Sequence, residues 1–181
     1  LQVAAVLGAH LKEPFLTRRE VTPLFGVLER YILSERDLRG FDEQYGWIHA
    51  VAHAADAAAH LIACPEVGRH EILRMLGALR AAASRKDHAY FHGEDERLAK
   101  AMVAGLGRSE VTSADRIAWV EGFVPLVEAC ASLGMPHGYT RFMNVKHTLR
   151  ALYFLLRFKR PTGHGPLSTR VEELLGEFSK L

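Results

Sequence analysis

Gly46-Trp47-Ile48-His49-Ala50-Val51-Ala52-His53-Ala54-Ala55-Asp56-Ala57-Ala58-Ala59-His60 carries seven alanines and no Lys, Arg or Glu. Alanine is the strongest helix former, and Pro65 stops the run, so one helix is predicted from about Gln44 to Cys64. Its polar residues His49, His53, Asp56 and His60 stand at i, i+4, i+7 and i+11. At about 100° per residue they fall within roughly 60° of one another. An ordinary exposed face spreads Lys, Glu and Arg over more than about 100°. A seam this narrow predicts a helix enclosed on most sides, with one polar line facing a groove.

Outward from that helix the same periodicity recurs. The predicted helices cover Leu1 to Leu11, then a segment after Thr22 with Pro23 at its first helical position, carrying Leu24, Val27, Leu28, Tyr31 and Ile32. Next come Val67 to Ser84, and a helix opened by Glu94-Asp95-Glu96 and carrying Leu98, Met102 and Leu106. Ser113 is read as the cap of a helix reaching Val127 that Pro125 kinks. Thr140 to Lys159 and a short amphipathic ending around Val171, Leu174, Leu175 and Phe178 complete the set. No stretch alternates apolar and polar residues as a strand does, so the fold class is all-α. Helix pairs recur about every 40–45 residues, which predicts an α-α superhelix, a short HEAT-like solenoid; an up-down helical bundle is the alternative. With no sharp boundary, residues 1–181 read as a single domain. The chain begins at Leu1 rather than Met, so a trimmed N-terminus is expected.

Composition bounds the function. The 181 residues are 49% hydrophobic and 24% charged, which excludes a disordered chain. Two cysteines, Cys64 and Cys130, form no C-x-x-C pair and point to a reduced, cytoplasmic protein with buried thiols. A net charge of +2 is too balanced for a nucleic-acid binder. Tyr45 to Pro65 is long enough to span a bilayer, but His49, His53, Asp56 and His60 make a membrane span too costly.

His49 and His53 at i, i+4 can aim two imidazoles at one divalent ion such as Zn, Mn, Fe or Ni. Asp56, one turn on, would orient His53 or serve as a further ligand. Asp42, Asp87, His88, His92, Glu94 and Asp95 are the other available donors; Glu94 or Asp95 would complete the shell or act as general base. The Glu of H-E-x-x-H is absent, and Asp87-His88 reverses the His-Asp dipeptide of HD-type phosphohydrolases. In the competing reading the seam is a hydrogen-bonded joint between helices, and Glu94-Asp95-Glu96 only complements a helix dipole. Arg39 is expected to pair with Asp37, Asp42 or Asp56, and with Trp47 and His60 it would line the groove. Arg141, Lys146, His147, Arg150, Arg157, Lys159 and Arg160 form a basic cluster in which Phe142, Tyr153, Phe154 and Phe158 are read as core. No phosphate loop or nucleophile elbow occurs.

Two functions follow. The first is a binding or scaffold module whose His/Asp-lined groove holds a protein, peptide or small molecule. The alternative is a metal-dependent hydrolase with His49 and His53 as ligands.

The combination Asp37-x-Arg39-Gly40-Phe41, Gly46-Trp47-x-His49-Ala50-x-Ala52-His53-x-Ala55-Asp56 and Glu94-Asp95-x-Arg97-Leu98-Ala99 resembles the bacterial domain of unknown function family 2785. Asn144-Val145-Lys146-x-x-Leu149-Arg150-x-Leu152-Tyr153 is similar to that family's closing helix. The resemblance implies an all-helical, HEAT-like domain and no particular activity or cofactor. DinB-like metal bundles also use an H-x-x-x-H pair with one more His, but that pair sits late in their chains, and here it is early.

Overall fold

The computed structural model describes residues 2–159 and 165–180. Among them the elements run α1 (Gln2–Lys12), α2 (Arg18–Ser34), β1 (Phe41–Asp42), β2 (Gly46–Trp47), α3 (Ala50–Ala63), α4 (Arg69–Ala83), α5 (Glu94–Leu106), α6 (Ser113–Glu121), α7 (Val124–Glu128), α8 (Cys130–Leu133), α9 (His137–Lys159) and α10 (Gly165–Phe178). The fold is all-α, with one two-stranded hairpin among the described residues. No helix of the described residues is long and apolar enough to cross a membrane.

Side-chain links fix how the helices lie. α3 and α5 run side by side in one direction: Asp56 in the second turn of α3 meets Arg97 in the first turn of α5, and Arg108, just past α5, donates to the carbonyls of Ile62 and Cys64 at the end of α3. α1 follows α3 in the same direction, with Gly8 against His60 and His10 near Glu66. On the other side α2 and α4 are tied by Glu29–Arg74 and, at their ends, by Arg85 donating to the Glu35 carbonyl. Trp119 of α6 donates to the Leu76 carbonyl of α4. α9 closes against α5, with Asn144 accepting from the Tyr90 N–H and donating to the His88 carbonyl. Between the layers, fully buried Leu61, Ile62, Ile72, Met75, Leu76, Leu98, Met102 and Leu149 form one continuous core. The alanines of α3 explain its central place: Ala52, Ala55 and Ala58 are wholly buried and let α1, α4 and α5 approach.

Several elements differ from the sequence expectation. α2 starts at Arg18, not after Thr22, because Thr17 and Glu20 form a reciprocal capping box, and Pro23 lies inside the helix. Thr112, not Ser113, caps α6 through a second such box with Asp115. Instead of a kink, Pro125 stands in the first turn of the separate α7. The predicted helix from Gln44 shortens to Ala50 because residues 41–47 fold into the hairpin. Asp42 Oδ1 accepts the N–H groups of Gln44 and Tyr45, Gly46 supplies φ of 74°, and Phe41 pairs with Trp47. Of the aromatics expected in the core of α9, Phe154 and Phe158 are exposed, and their i, i+4 spacing stacks them on each other at 6.0 Å. Arg160 and the Lys159 side chain lie outside the described residues.

Candidate functional site

The seam residues meet four different fates. His49 is not on the helix but is its N-cap, in the left-handed region at φ 45° and ψ 34°. Non-glycine residues held there cost about 1–3 kcal/mol and persist only where surroundings enforce them. The hairpin does so: the His49 N–H is shared between the Arg39 and Gly40 carbonyls, and the Ile48 N–H goes to Gly40 at 2.9 Å. His49 Nε2 lies 3.0 Å from the His92 carbonyl oxygen and 3.4 Å from Glu94 Oε1. A carbonyl only accepts, so Nε2 carries the proton and Nδ1 the lone pair.

Glu94 is 1% exposed. Its Oε2 accepts the His92 N–H at 2.9 Å, while Oε1 is buried with no hydrogen bond and faces His49. Trp47, 61% exposed, leans on the His49 ring at 4.5 Å, and Phe41 meets Trp47 edge-on. Gly40 completes this end, since a Cβ there would stand 2.4 Å from the His92 ring. Asp95 is half-buried and has no ion pair among the described residues.

His53 sits a turn into α3 with its ring 6.0 Å from that of His49. Its Nδ1 is buried without a partner, and burial lowers its pKa and keeps the ring neutral. Asp56 is engaged elsewhere: both its oxygens take a two-pronged bond from Arg97, one at 2.7 Å. His60 turns away to donate to the Asp56 carbonyl at 3.0 Å and packs on Gly8 of α1. Arg39 pairs with Asp37 and Asp42, two of the three expected partners, and the guanidinium holds the Asp37 carboxyl down at about 2.

His49, His53 and Asp56 therefore do not converge on one point. Among the described residues, the potential metal donors that lie within 4.8 Å of one another are those of His10, Cys64 and Glu66. Their chemistry does not suit an ion. His10 Nδ1 accepts the N–H groups of Phe15 and Leu16, each at 3.0 Å, so its proton is on Nε2, facing Glu66 at 3.4 Å. The Cys64 Sγ donates to the His60 carbonyl. The trio is a joint that ties α1 to the end of α3.

The seam does open on a groove. Between α1, α2 and the start of α3 lies a cleft of about 550 Å³. Val3, Val27, Leu28, Ile48 and Ala57 give it apolar walls, and His53, Tyr31, Glu35 and Asp37 are its polar groups. Glu35 already accepts the N–H groups of Arg36 and Asp37, and Asp37 is saturated by Arg39. His53 has no hydrogen bond to its ring among the described residues. Of the residues the sequence placed on a groove, His53 lines this cleft while His49, Asp56, Arg39, Trp47 and His60 do not, and Tyr31, Glu35 and Asp37 were not expected there, because α2 lies next to α3 only in the folded chain. His92 was legible as a candidate donor; its role as a carbonyl acceptor beside Gly40 was not.

Neither a curated protein nor a solved structure matches the chain. The profile of DUF2785, a family described as proteins of unknown function, matches residues 1–154, spanning the hairpin, the His49–Glu94 contact and the groove. The chain thus belongs to the DUF2785 family.

Proposed function

We propose that this protein is a binding module for a small molecule with an apolar body, received in the groove between α1, α2 and the start of α3. The observation that carries this reading is the polar content of that groove: within apolar walls, Glu35 and Asp37 are already engaged while the His53 ring has no hydrogen-bond partner among the described residues. The volume of about 550 Å³ falls in the range of small-ligand sites, about 300–1,000 Å³. The parallel courses of α1, α3 and α5, and of α2 and α4, support a short solenoid whose first two helices leave this cleft open. Free Cys64 and Cys130 suit a reducing, cytoplasmic setting. The metal-dependent alternative has less support, because Arg97 occupies both oxygens of Asp56 and the donors of His49, His53 and Asp56 do not converge among the described residues.

Titration with N-phenyl-1-naphthylamine, a neutral apolar fluorophore, tests the proposal. Saturable binding is expected, weakened about tenfold or more by Val27→Glu, which puts a charge on a 56% exposed wall position without touching the core. Equal binding by the parent and Val27→Glu would refute it.

A further inference from the structure

The groove between α1, α2 and the start of α3 is lined by two carboxylates, Glu35 and Asp37, and by no Lys or Arg. Along α2 and its C-cap, Val27, Tyr31 and Glu35 follow at i, i+4 and i+8, so one wall passes from apolar to aromatic to acidic. Glu35 is held by neutral donors alone: Oε1 takes the N–H groups of Arg36 and Asp37 at 2.7 and 2.8 Å, and the Tyr31 hydroxyl donates to the same carboxylate. Those hydrogen bonds, the one from Tyr31 above all, keep the Glu35 carboxyl below the usual carboxylate range, and it has no salt bridge among the described residues. Arg85 reaches the Glu35 carbonyl but pairs its charge with Asp87 at 2.7 Å, and Arg36 is exposed and off the cleft lining. Asp37 shares Arg39 with Asp42, so that trio keeps one net negative charge. His53 adds no positive charge, because burial lowers its pKa. The C-terminus of α2, with its negative dipole end, lies at the same place.

We propose that the groove selects an organic cation, an apolar body bearing an ammonium group, with the body against Val27, Leu28 and Ile48 and the ammonium at the Tyr31–Glu35 end. Each part of that end favours a positive charge. The Glu35 carboxylate attracts it directly, the Tyr31 ring, 42% exposed, offers an electron-rich face, and a neutral His53 does not repel it. An anion of the same shape would meet Glu35 and Asp37 as like charges. Apolar walls focus the field of these groups into the cleft, so the preference is stronger there than on an open surface. This inference rests on the small-molecule reading of the groove.

Three probes share a 1-aminonaphthalene body: N-phenyl-1-naphthylamine is neutral, N-(1-naphthyl)ethylenediamine carries an ammonium, and 8-anilinonaphthalene-1-sulfonate carries an anion. In fluorescence titrations of the intact protein near neutral pH, the ammonium is expected to bind about tenfold or more tighter than the sulfonate. Glu35→Gln keeps an oxygen for both N–H groups and removes the charge, so it should lower the ratio of ammonium to naphthylamine affinity about threefold or more, with circular dichroism reporting the fold. On the parent, raising sodium chloride from about 20 to about 200 mM should lower the same ratio, which keeps the test decisive even where the variant does not fold. A sulfonate bound as tightly as the ammonium, a ratio unchanged in folded Glu35→Gln, or a ratio unmoved by salt overturns the proposal, while saturable naphthylamine binding leaves the groove reading standing. No saturable binding of any of the three probes to the folded parent overturns both.

Discussion

At the scale of single residues, His49 and Gly40 are the positions where the backbone is most tightly constrained. Because His49 occupies φ 45°, His49→Gly should be about 1 kcal/mol more stable than His49→Ala, since glycine alone escapes the Cβ clash of the left-handed region. Urea denaturation of the two variants measures that difference, and equal midpoints would show that the backbone relaxes. Gly40 has the reverse problem: Gly40→Ala places a methyl 2.4 Å from the His92 ring. It should cost about 1–3 kcal/mol and disturb the Trp47 fluorescence, because His92 meets Trp47 edge-on at 5.8 Å. An unaltered stability and spectrum would mean that His92 moves aside freely. Neither feature depends on charge, so both effects should persist in high salt.

Among elements, the starts of helices hold the most information. Thr17→Ala removes the hydroxyl that binds Glu20 in the α2 capping box and should cost about 1 kcal/mol by thermal or denaturant unfolding; no loss would show that the Thr17 side chain adds nothing to the start of α2. The Thr17-x-x-Glu20 pattern stands in the sequence, but the expected start rested on Pro23 alone, whose missing N–H favours a first-turn position. The α3 seam was legible as a narrow polar line, yet its first member lies outside the helix. Strands of two residues carry no alternation to detect, so the hairpin that displaces His49 could not be seen by period. Asp56 was read as a partner of His53 because they are neighbours in sequence; Arg97, 41 residues away, reaches it through the parallel packing of α3 and α5. That pair joins side chains 27% and 39% exposed, and a double-mutant cycle should return a coupling of about 0.5–1 kcal/mol. The all-helical class needed only periodicity and the absence of strand signals. Which faces meet depends on contacts far apart in sequence, such as His10 with Glu66 and Tyr90 with Asn144.

For the whole molecule, stability should fall with pH in two stages. His53 and His88 have pKa values lowered by burial, so the unfolded chain binds more protons than the folded one, and stability present above about pH 6.5 is lost as pH drops through the folded values. A second decline follows between about pH 4 and 2. There Asp37, Glu110 and Asp115, each held down to about 2 by Arg39, Arg108 and Arg69, lose the charge that pairs them. His53→Gln with His88→Gln should flatten the first stage and leave the second; a first stage that survives both changes would assign it to other groups. Among the larger clefts of the described residues are the His53 groove and one of about 460 Å³ lined by Val127, Cys130, Met135, Tyr139 and Phe142. Only the first combines apolar walls with an unpartnered imidazole. Chemical-shift mapping of the isotope-labelled protein with N-phenyl-1-naphthylamine separates them directly. Saturable shifts concentrated on Val27, Tyr31, Ile48, His53 and Ala57 are predicted; shifts confined to Val127–Phe142, or none, would contradict the assignment of the groove as the binding site.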